Sequence, residues 1–240
     1  MMTSKIAAII PAAGVGKRMK ADVNKVWLNL NGKSIIEHTL QVFVDSGLFE
    51  PIVVVVNEDE VREFKEFLAE KMPEANVLIT QGGKERQNSV FNGLQYLSTL
   101  SDGEWSSNNT NLVLIHDAAR ALVSIRLIKE VVEAGKKYQA VSLGIPVKDT
   151  IKEVDTEGFV TNTPERTRLW AIQTPQIFNY QLLYQCHQKV IGIERNFSDD
   201  CGIIEYCGFP VKIIPGSYEN LKITTPEDLI VAEAIMRRNG

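Results

Sequence analysis

The chain has few of the residues that build metal centres or disulfide frameworks. Its 240 residues include only three cysteines and three histidines. Cys186, Cys201 and Cys207 lack the paired spacing of a zinc site, and an odd number of cysteines is typical of a reducing compartment. We therefore interpret the cysteines as packing residues, and we do not expect a histidine-based metal centre.

The chain also lacks a long apolar run and an excess of positive charge. Pro11 interrupts the apolar N-terminal stretch, and Lys17, Arg18 and Lys20 follow, which is not the pattern of a signal peptide. No apolar segment approaches the ~20 residues that span a bilayer. The net charge of -4 argues against a general nucleic-acid or membrane surface. We therefore expect a cytoplasmic protein whose cations are concentrated locally at any anion site.

What the chain does have is an ordinary globular composition with alternating structural patterns. It is 44% hydrophobic and 23% charged, which suits one α/β domain over residues 1–240. Apolar runs predict strands at Ile6–Ile10, Ile52–Val56, Val77–Thr80, Leu112–Ile115, Ala140–Ile145 and Val211–Ile214. Helical patterns cover Ser34–Ser46, Glu58–Met72, Gln87–Leu97, Ile125–Tyr138, Tyr180–Val190 and Pro226–Arg238. This alternation predicts a mostly parallel, wound sheet with helices on both faces.

One segment breaks the alternation and resembles a β-hairpin. Thr150–Val154 and Phe159–Thr163 are short strand-like runs on either side of the turn at Asp155–Gly158. A lone hairpin is marginally stable in water, so it needs a surface to pack on. That surface is either a second subunit or the hairpin's own domain.

The first strand leads into a segment suited to binding phosphate. Ala12, Ala13, Gly14 and Gly16 carry little or no side chain, so the backbone can approach a ligand closely and present its amides to an anion. The alternative is a tight turn whose neighbouring cations only face solvent.

Two departures exclude familiar phosphate motifs. Gly16-Lys17-Arg18 is not the Gly-Lys-Ser/Thr ending of an ATPase loop, and Met19 stands where a dinucleotide fingerprint has glycine or alanine. We therefore expect a triphosphate loop that carries its own arginine, Arg18.

Polar residues follow a later strand at the edge where wound parallel sheets bind ligands. In His116–Arg120, Asp117 is the best-placed magnesium ligand or sugar-hydroxyl acceptor, and Arg120 is suited to a phosphate. The alternative is a local ion pair between Asp117 and Arg120. His116 is more typical of a structural histidine than of a ligand.

Two further segments carry potential ligand-binding groups. The Gly82-Gly83 pair and Ser89 can hydrogen-bond a nucleobase, whereas Arg86 is equally consistent with a surface cation. Lys222 lies in a strand-like pattern, where it faces either a ligand phosphate or, as an edge-strand lysine, the solvent.

Taken together, these segments resemble the cytidylyltransferase family of the non-mevalonate isoprenoid pathway, whose members make CDP-methylerythritol from CTP and 2-C-methyl-D-erythritol 4-phosphate. The matching segments are Pro11–Arg18 with Lys25, Gly82–Ser89, His116–Arg120, Pro146–Thr150, and Gln173–Gln176 with Lys222–Asp228. These segments span nearly the whole chain. Each is a modest signal alone, but their order and spacing in combination are specific to the family. The chain departs from the family at Ala121, at Val26-Trp27 and at Ser198, which keeps a hydroxyl.

The resemblance implies a Rossmann-like nucleotidyltransferase fold, magnesium as cofactor, and a homodimer clasped through a β-arm at 147–175. It implies that Arg18 and Lys25 stabilise charge on the α-phosphate of CTP, and that Arg166 and Lys222 position the sugar phosphate. By the same matching, the CTP site comprises Pro11, Ala12, Ala13, Gly14, Gly16, Gly82, Gly83, Ser89, Asp117 and Ala118. The sugar-phosphate site would add Asp117, Arg120, Thr150, Thr174 and Ser198 to Arg166 and Lys222. Asp117 would at most assist a magnesium ion that the triphosphate mainly holds.

Other functions compete with this one. The same reaction on another polyol phosphate, such as ribitol 5-phosphate, shares the loop and the aspartate segment. An inactive nucleotide-binding regulatory protein is disfavoured because Arg18, Lys25, Asp117 and Lys222 are all present. A nicotinamide oxidoreductase is disfavoured by the missing third glycine.

Overall fold

The computed structural model describes residues 5–14, 24–100, 105 and 110–239. Its strands are β1 (Ile6–Pro11), β2 (Asn29–Leu30), β3 (Lys33–Ser34), β4 (Ile52–Val56), β5 (Val77–Gln81), β6 (Leu112–Ile115), β7 (Ala140–Pro146), β8 (Glu153–Val154), β9 (Val160–Asn162), β10 (Trp170–Asn179) and β11 (Lys212–Pro215). Its α-helices are α1 (Ile35–Ser46), α2 (Val61–Lys71), α3 (Arg86–Thr99), α4 (Ile125–Gly135), α5 (Tyr180–Lys189), α6 (Asp200–Tyr206) and α7 (Pro226–Asn239). Short 3-10 turns lie at Lys25–Trp27, Glu58–Glu60 and Arg166–Arg168.

The centre of the fold is a seven-stranded sheet in the order β11-β7-β10-β6-β1-β4-β5. All its strand pairs are parallel except those of β10, which runs antiparallel to both β6 and β7. The strands β1, β4 and β6 are almost wholly apolar and buried because helices cover both of their faces. The α/β fold predicted from the sequence is therefore confirmed.

Two apolar layers separate the sheet from its helices. On one face, Phe43 of α1, Phe64 of α2 and Val131 of α4 pack against the sheet. On the other face, Leu94 of α3 and Leu183 of α5 do the same. Cys186 and Cys201 are buried in this second layer, and Cys207 is partly buried against it, which confirms the cysteines as packing residues.

Every strand and helix predicted from the sequence is present, with ends shifted by at most three residues. Strand β10, helix α6 and the small β2–β3 ribbon were not predicted from the sequence. The prediction of a strand at Lys222 is wrong, because this residue lies in a loop before α7. The backbone there is held instead by the Ile223 amide, which donates to the Ala119 carbonyl at 2.8 Å. The edge-strand interpretation of Lys222 therefore fails.

The predicted hairpin is present as the antiparallel pair β8–β9. Asp155 caps its turn, accepting hydrogen bonds from the backbone amides of Glu157 and Phe159 at 3.0 and 2.9 Å. Every residue from 148 to 163 is exposed. The extent of the arm, 147–175, and the single-domain assignment remain predictions.

Within the part of the chain that the structure describes, none of the helices combines the length and apolar character needed to cross a membrane.

Candidate active site

A cavity of about 440 Å³ opens where β1 and β6 end and where the loop between β5 and α3 begins. Among the residues that the structure describes, its lining contains four basic side chains and several small residues. The lining residues are Pro11, Ala12, Ala13, Gly14, Lys25, Val26, Gly83, Lys84, Glu85, Arg86, Ser89, Asp117, Ala118, Ala119, Lys222 and Thr224. This is the carboxyl edge of the sheet, where wound α/β proteins bind their ligands.

Asp117, just after β6, is the carboxylate around which the cations gather. Its Oδ2 lies 2.7 Å from the Lys222 amine, and its Oδ1 accepts a hydrogen bond from Arg86 Nε at 3.1 Å. Arg120 is more distant, with its Nε 3.9 Å from Oδ2. The local Asp117–Arg120 pair expected as an alternative is therefore present but is the loosest of these contacts. Thr174 on β10 accepts a hydrogen bond from the Asp117 amide at 3.0 Å and so fixes the backbone.

The charges around Asp117 decide its ionisation. Burial alone would raise the pKa of Asp117, but the positive charges of Arg86 and Lys222 outweigh burial and hold that pKa well below its usual value. Asp117 is therefore an anion at neutral pH. In this state it accepts hydrogen bonds and is not a proton donor.

Behind Asp117, Arg86 connects the cavity to a second buried carboxylate. Arg86 Nη1 donates to Asp200 Oδ2 at 2.8 Å, and His187 Nε2 lies 3.1 Å from Asp200 Oδ1. The Asp200 side chain is fully buried. Burial acts to raise the pKa of Asp200, but Arg86 and His187 act more strongly to lower it, so the net shift is downward. Arg86, which the sequence left as a possible surface cation, is thus a partly buried cation held between two carboxylates.

His116 is structural, as expected from the sequence. The side chain is fully buried, and its Nε2 donates to the Arg120 carbonyl at 3.2 Å. Burial lowers the pKa of His116 to about 3, although the nearby Asp117 opposes the shift. The imidazole is therefore neutral and carries no charge to the cavity.

Lys25 approaches the cavity from a different element, the 3-10 turn at Lys25–Trp27. Asn24 caps this turn, accepting a hydrogen bond from the Val26 amide at 3.3 Å. The Lys25 amine donates to the Ile223 carbonyl at 3.1 Å, next to Lys222. The two lysines therefore converge on the cavity from segments far apart in the chain.

Glycines allow the backbone after β5 to approach the loop after β1. A Cβ atom at Gly82 would lie 2.8 Å from both the Ala13 Cβ and the Ser89 Oγ, closer than real side chains pack. The Gly83 amide donates to Ser89 Oγ at 3.1 Å. These contacts make a narrow, hydrogen-bonding wall suited to a flat ligand group.

Several predicted site residues do not line the cavity. Arg120 Nη1 donates to the Asn220 carbonyl, and Arg166 Nη1 donates to the Lys148 carbonyl at the base of the arm, each at 2.8 Å. Thr150 and Ser198 are exposed. Gly16 and Arg18 lie outside the described residues. The roles assigned to all of these residues remain predictions.

Asp117 does not fit a protein-held magnesium site. Both of its oxygens are engaged by Lys222 and Arg86, and these cations repel a further positive charge. Among residues 5–14, 24–100, 105 and 110–239, no three His, Cys, Asp or Glu side chains cluster as metal ligands would. The described side chains therefore do not by themselves form a magnesium site.

Arg86, Lys84 and Thr224 line the cavity, although the sequence analysis did not assign them to it. Lys84 directly follows Gly82-Gly83, so its position in the predicted ligand-binding loop could have indicated that it lines the cavity. Thr224 donates from its hydroxyl to Asp228 at 2.8 Å, which anchors the segment after Lys222 to the first turn of α7. No sequence pattern marks that contact.

Comparisons with known proteins agree on one family. Residues 6–238 match the family model described as 2-C-methyl-D-erythritol 4-phosphate cytidylyltransferase. A protein of that name from Clostridioides difficile strain 630 is 44% identical over 230 residues, covering 96% of this chain and 93% of its own. Another from Halalkalibacterium halodurans is also 44% identical over 230 residues, with 96% of each chain covered.

Solved structures give the same result. The crystal structure of 4-diphosphocytidyl-2C-methyl-D-erythritol synthase from Anaerococcus prevotii superimposes with a TM-score of 0.83 at 32% identity, covering 98% of this chain and 96% of that one. The 2-C-methyl-D-erythritol 4-phosphate cytidylyltransferase of Thermus thermophilus gives a TM-score of 0.75 at 30% identity, with 97% and 99% covered.

Proposed function

Because this chain belongs to the 2-C-methyl-D-erythritol 4-phosphate cytidylyltransferase family, we propose that the cavity around Asp117 is where it binds CTP and carries out the family's reaction. The chain is a nucleotidyltransferase that transfers CMP from CTP to 2-C-methyl-D-erythritol 4-phosphate, giving CDP-methylerythritol and pyrophosphate. The alternatives of another polyol phosphate and of an inactive regulatory protein are not favoured by these relatives.

The gathering of basic side chains at one cavity is the observation that carries the assignment of the site. Lys25, Lys84, Arg86 and Lys222 all line it, in a chain whose net charge is negative. A phosphate oxygen of the acceptor forms a bond to the α-phosphorus of CTP. The bond from that phosphorus to the bridging oxygen breaks, and pyrophosphate leaves with the electron pair. Both reactants are anions, so fixed positive charge lowers the barrier and no protein nucleophile is needed.

Within this cavity we assign the nucleotide to the wall built by Ala12, Ala13, Gly83 and Ser89. The close approach of these segments supports the assignment, because these four residues have small side chains or none and leave the backbone amides accessible to a ligand. Lys25, together with Arg18, is assigned to the α-phosphate. Removing one preorganised donor of this kind costs roughly 100- to 1,000-fold in turnover.

Lys222 and Arg166 are assigned to the phosphate of the acceptor. Lys222 forms an ion pair with Asp117 and lines the cavity, which supports the assignment of Lys222. Arg166 lies at the base of the arm, outside the cavity lining, and its guanidinium is bound to the Lys148 carbonyl. The assignment of Arg166 therefore requires that the arm reach a cavity, either the one in the same chain or the one in a second subunit.

We propose that the arm makes a homodimer. Val154, Phe159 and Val160 expose 57%, 69% and 58% of their surface on the β8–β9 hairpin, which is unusual for apolar residues on one short element. A second copy of the chain is the partner that would cover them. Sedimentation of the protein and of its Phe159→Glu variant tests this proposal. A monomeric parent protein at micromolar concentration contradicts it.

Magnesium is proposed to arrive with the triphosphate, since the described side chains do not form a magnesium site. When bound, the ion would neutralise part of the triphosphate charge. The cytoplasm remains the proposed compartment, supported by the free thiols of Cys186, Cys201 and Cys207.

The activity is tested by incubating the purified protein with CTP, magnesium and 2-C-methyl-D-erythritol 4-phosphate, and identifying CDP-methylerythritol by mass spectrometry. A parallel reaction with ribitol 5-phosphate serves as the specificity control. We expect product mainly from the methylerythritol substrate. Product from ribitol 5-phosphate alone would overturn the acceptor assignment.

A further inference from the structure

We propose that Asn24 is a positioning residue, which sets the place of Lys25 at the cavity by tying its 3-10 turn to the start of α2 through Glu60. The proposal rests on the role proposed above for Lys25. It concerns how the lysine is held and not what the lysine touches in the substrate.

The Asn24 side chain uses both of its polar atoms to join separate elements. Nδ2 donates to the Ala12 carbonyl after β1 at 2.8 Å and to Glu60 Oε2 at 3.0 Å. Oδ1 accepts from the Val26 amide at 3.3 Å, which caps the turn that carries Lys25. One amide group therefore connects the phosphate segment, the lysine turn and the residue immediately before α2.

Glu60 is itself held in place. Its Oε2 accepts a second hydrogen bond from Asn57 Nδ2 at 2.7 Å, so the carboxylate is fixed by an asparagine just after β4. Hydrogen bonds to a charged acceptor are stronger than neutral ones. The Glu60 carboxylate, to which Asn24 donates, is thus connected to the central sheet through Asn57.

A second contact holds the same turn against α2. The Trp27 ring packs on Phe64 and Phe67 with centroid distances of 4.4 and 5.3 Å. This aromatic contact fixes the far end of the turn, and the Asn24–Glu60 hydrogen bond fixes its near end. Lys25 lies between the two anchors, with its amine directed to Ile223 beside Lys222.

Loss of the Asn24 anchor is expected to shift Lys25 without unfolding the protein, because Trp27 still holds the turn. A displacement of about 1 Å at a catalytic group can reduce turnover by about 100-fold. We therefore expect Asn24→Ala to lower kcat by about 10- to 100-fold, with a smaller effect on the KM for CTP.

The experiment compares kcat and KM of the full-length enzyme with those of Asn24→Ala, Lys25→Ala and the double variant. Asn29→Ala is the matched control, because Asn29 also caps a turn, accepting from the Gly32 amide at 3.1 Å, but lies outside the cavity. A thermal melt of each variant separates misfolding from misplacement. If Asn24 acts through Lys25, adding Asn24→Ala to Lys25→Ala should lower kcat by less than about threefold.

A polarity swap gives an independent measurement. Asn24→Asp places a second carboxylate against that of Glu60, and the repulsion between them should lower kcat. Adding Glu60→Gln supplies an amide N–H that can donate to the carboxylate introduced by Asn24→Asp, so the double variant should recover part of the lost kcat.

Full additivity of Asn24→Ala and Lys25→Ala, or no recovery in the swapped pair, would overturn the positioning role. If Lys25→Ala itself leaves kcat unchanged, the proposed role of Lys25 fails first, and this outcome is distinguishable from failure of the anchor.

Discussion

Replacing Arg86 by leucine should destabilise the fold strongly, because it removes the cation shared by two buried carboxylates. The guanidinium lies 2.8 Å from Asp200 and 3.1 Å from Asp117. Without it, Asp200, whose side chain is fully buried, would keep the hydrogen bond to His187 as its remaining side-chain partner among the residues that the structure describes. Asp117 would still have Lys222 at 2.7 Å. The cost therefore falls mainly on Asp200.

The magnitude follows from the burial of this pair. Removing one partner of a buried ion pair costs about 3–5 kcal/mol, because the remaining charge is left without compensation. Such a loss is a large part of the roughly 5–15 kcal/mol that stabilises a typical domain. Adding Asp200→Asn to Arg86→Leu removes the stranded charge, so the double variant should be more stable than the sum of the single changes by about 0.5–3 kcal/mol.

Urea unfolding at pH 7 of the parent protein, both single variants and the double variant measures these free energies. Arg62→Leu is the control, because its ion pair with Glu66 is exposed and should matter little. A loss below about 1 kcal/mol for Arg86→Leu, or strict additivity in the double variant, would refute the reasoning.

The stabilities of the parent protein and of Arg86→Leu should depend differently on pH. The pKa of Asp200 is lower in the folded state than its usual value, so its contribution to stability is present above pH ~4 and is lost as the pH falls through the folded-state pKa. Without Arg86 the pKa of Asp200 rises, so this stabilisation is smaller. The difference in the free energy of unfolding between the parent protein and Arg86→Leu should therefore narrow as the pH falls below ~4. A gap that widens would contradict the assignment.

Three further predictions concern the cavity. Lys25→Ala should lower kcat by roughly 100- to 1,000-fold while leaving the thermal midpoint unchanged, and unaltered steady-state kinetics would exclude its role at the α-phosphate. Lys222→Ala should chiefly raise the KM for 2-C-methyl-D-erythritol 4-phosphate, whereas a change confined to the KM for CTP would reassign the lysine. Gly82→Ala should weaken CTP binding in calorimetry, because the new methyl group would lie 2.8 Å from Ala13 and Ser89; normal affinity would show that this wall tolerates widening.

The parallel strands could be predicted from the sequence because burial on both faces leaves a continuous apolar run. Ile52–Val56 is the clearest case, with every residue buried. Strand β10 was missed because its pattern is different. It begins with exposed Trp170 and Ile172, and its buried part includes Gln173 and Gln176. These glutamines are stable there because partners distant in the chain bind them, such as Ser217 and Asp199.

Site residues that directly follow strands could be predicted from the sequence. Residues whose position depends on a partner far away in the chain could not. Asp117, Ser89 and Lys25 line the cavity as the motifs suggested. Arg86 could not be distinguished from a surface cation, because its buried partner Asp200 is 114 residues away along the chain. The anchor at Asn24 depends in the same way on Glu60, 36 residues later.

A crystal structure of the protein with CTP and magnesium tests the central claim most directly, namely that a set of fixed cations receives the triphosphate at this cavity. We expect the α-phosphate within hydrogen-bond distance of the Lys25 amine and the cytosine against the Gly83–Ser89 wall. A triphosphate bound elsewhere, away from Lys25 and Arg18, would contradict the account.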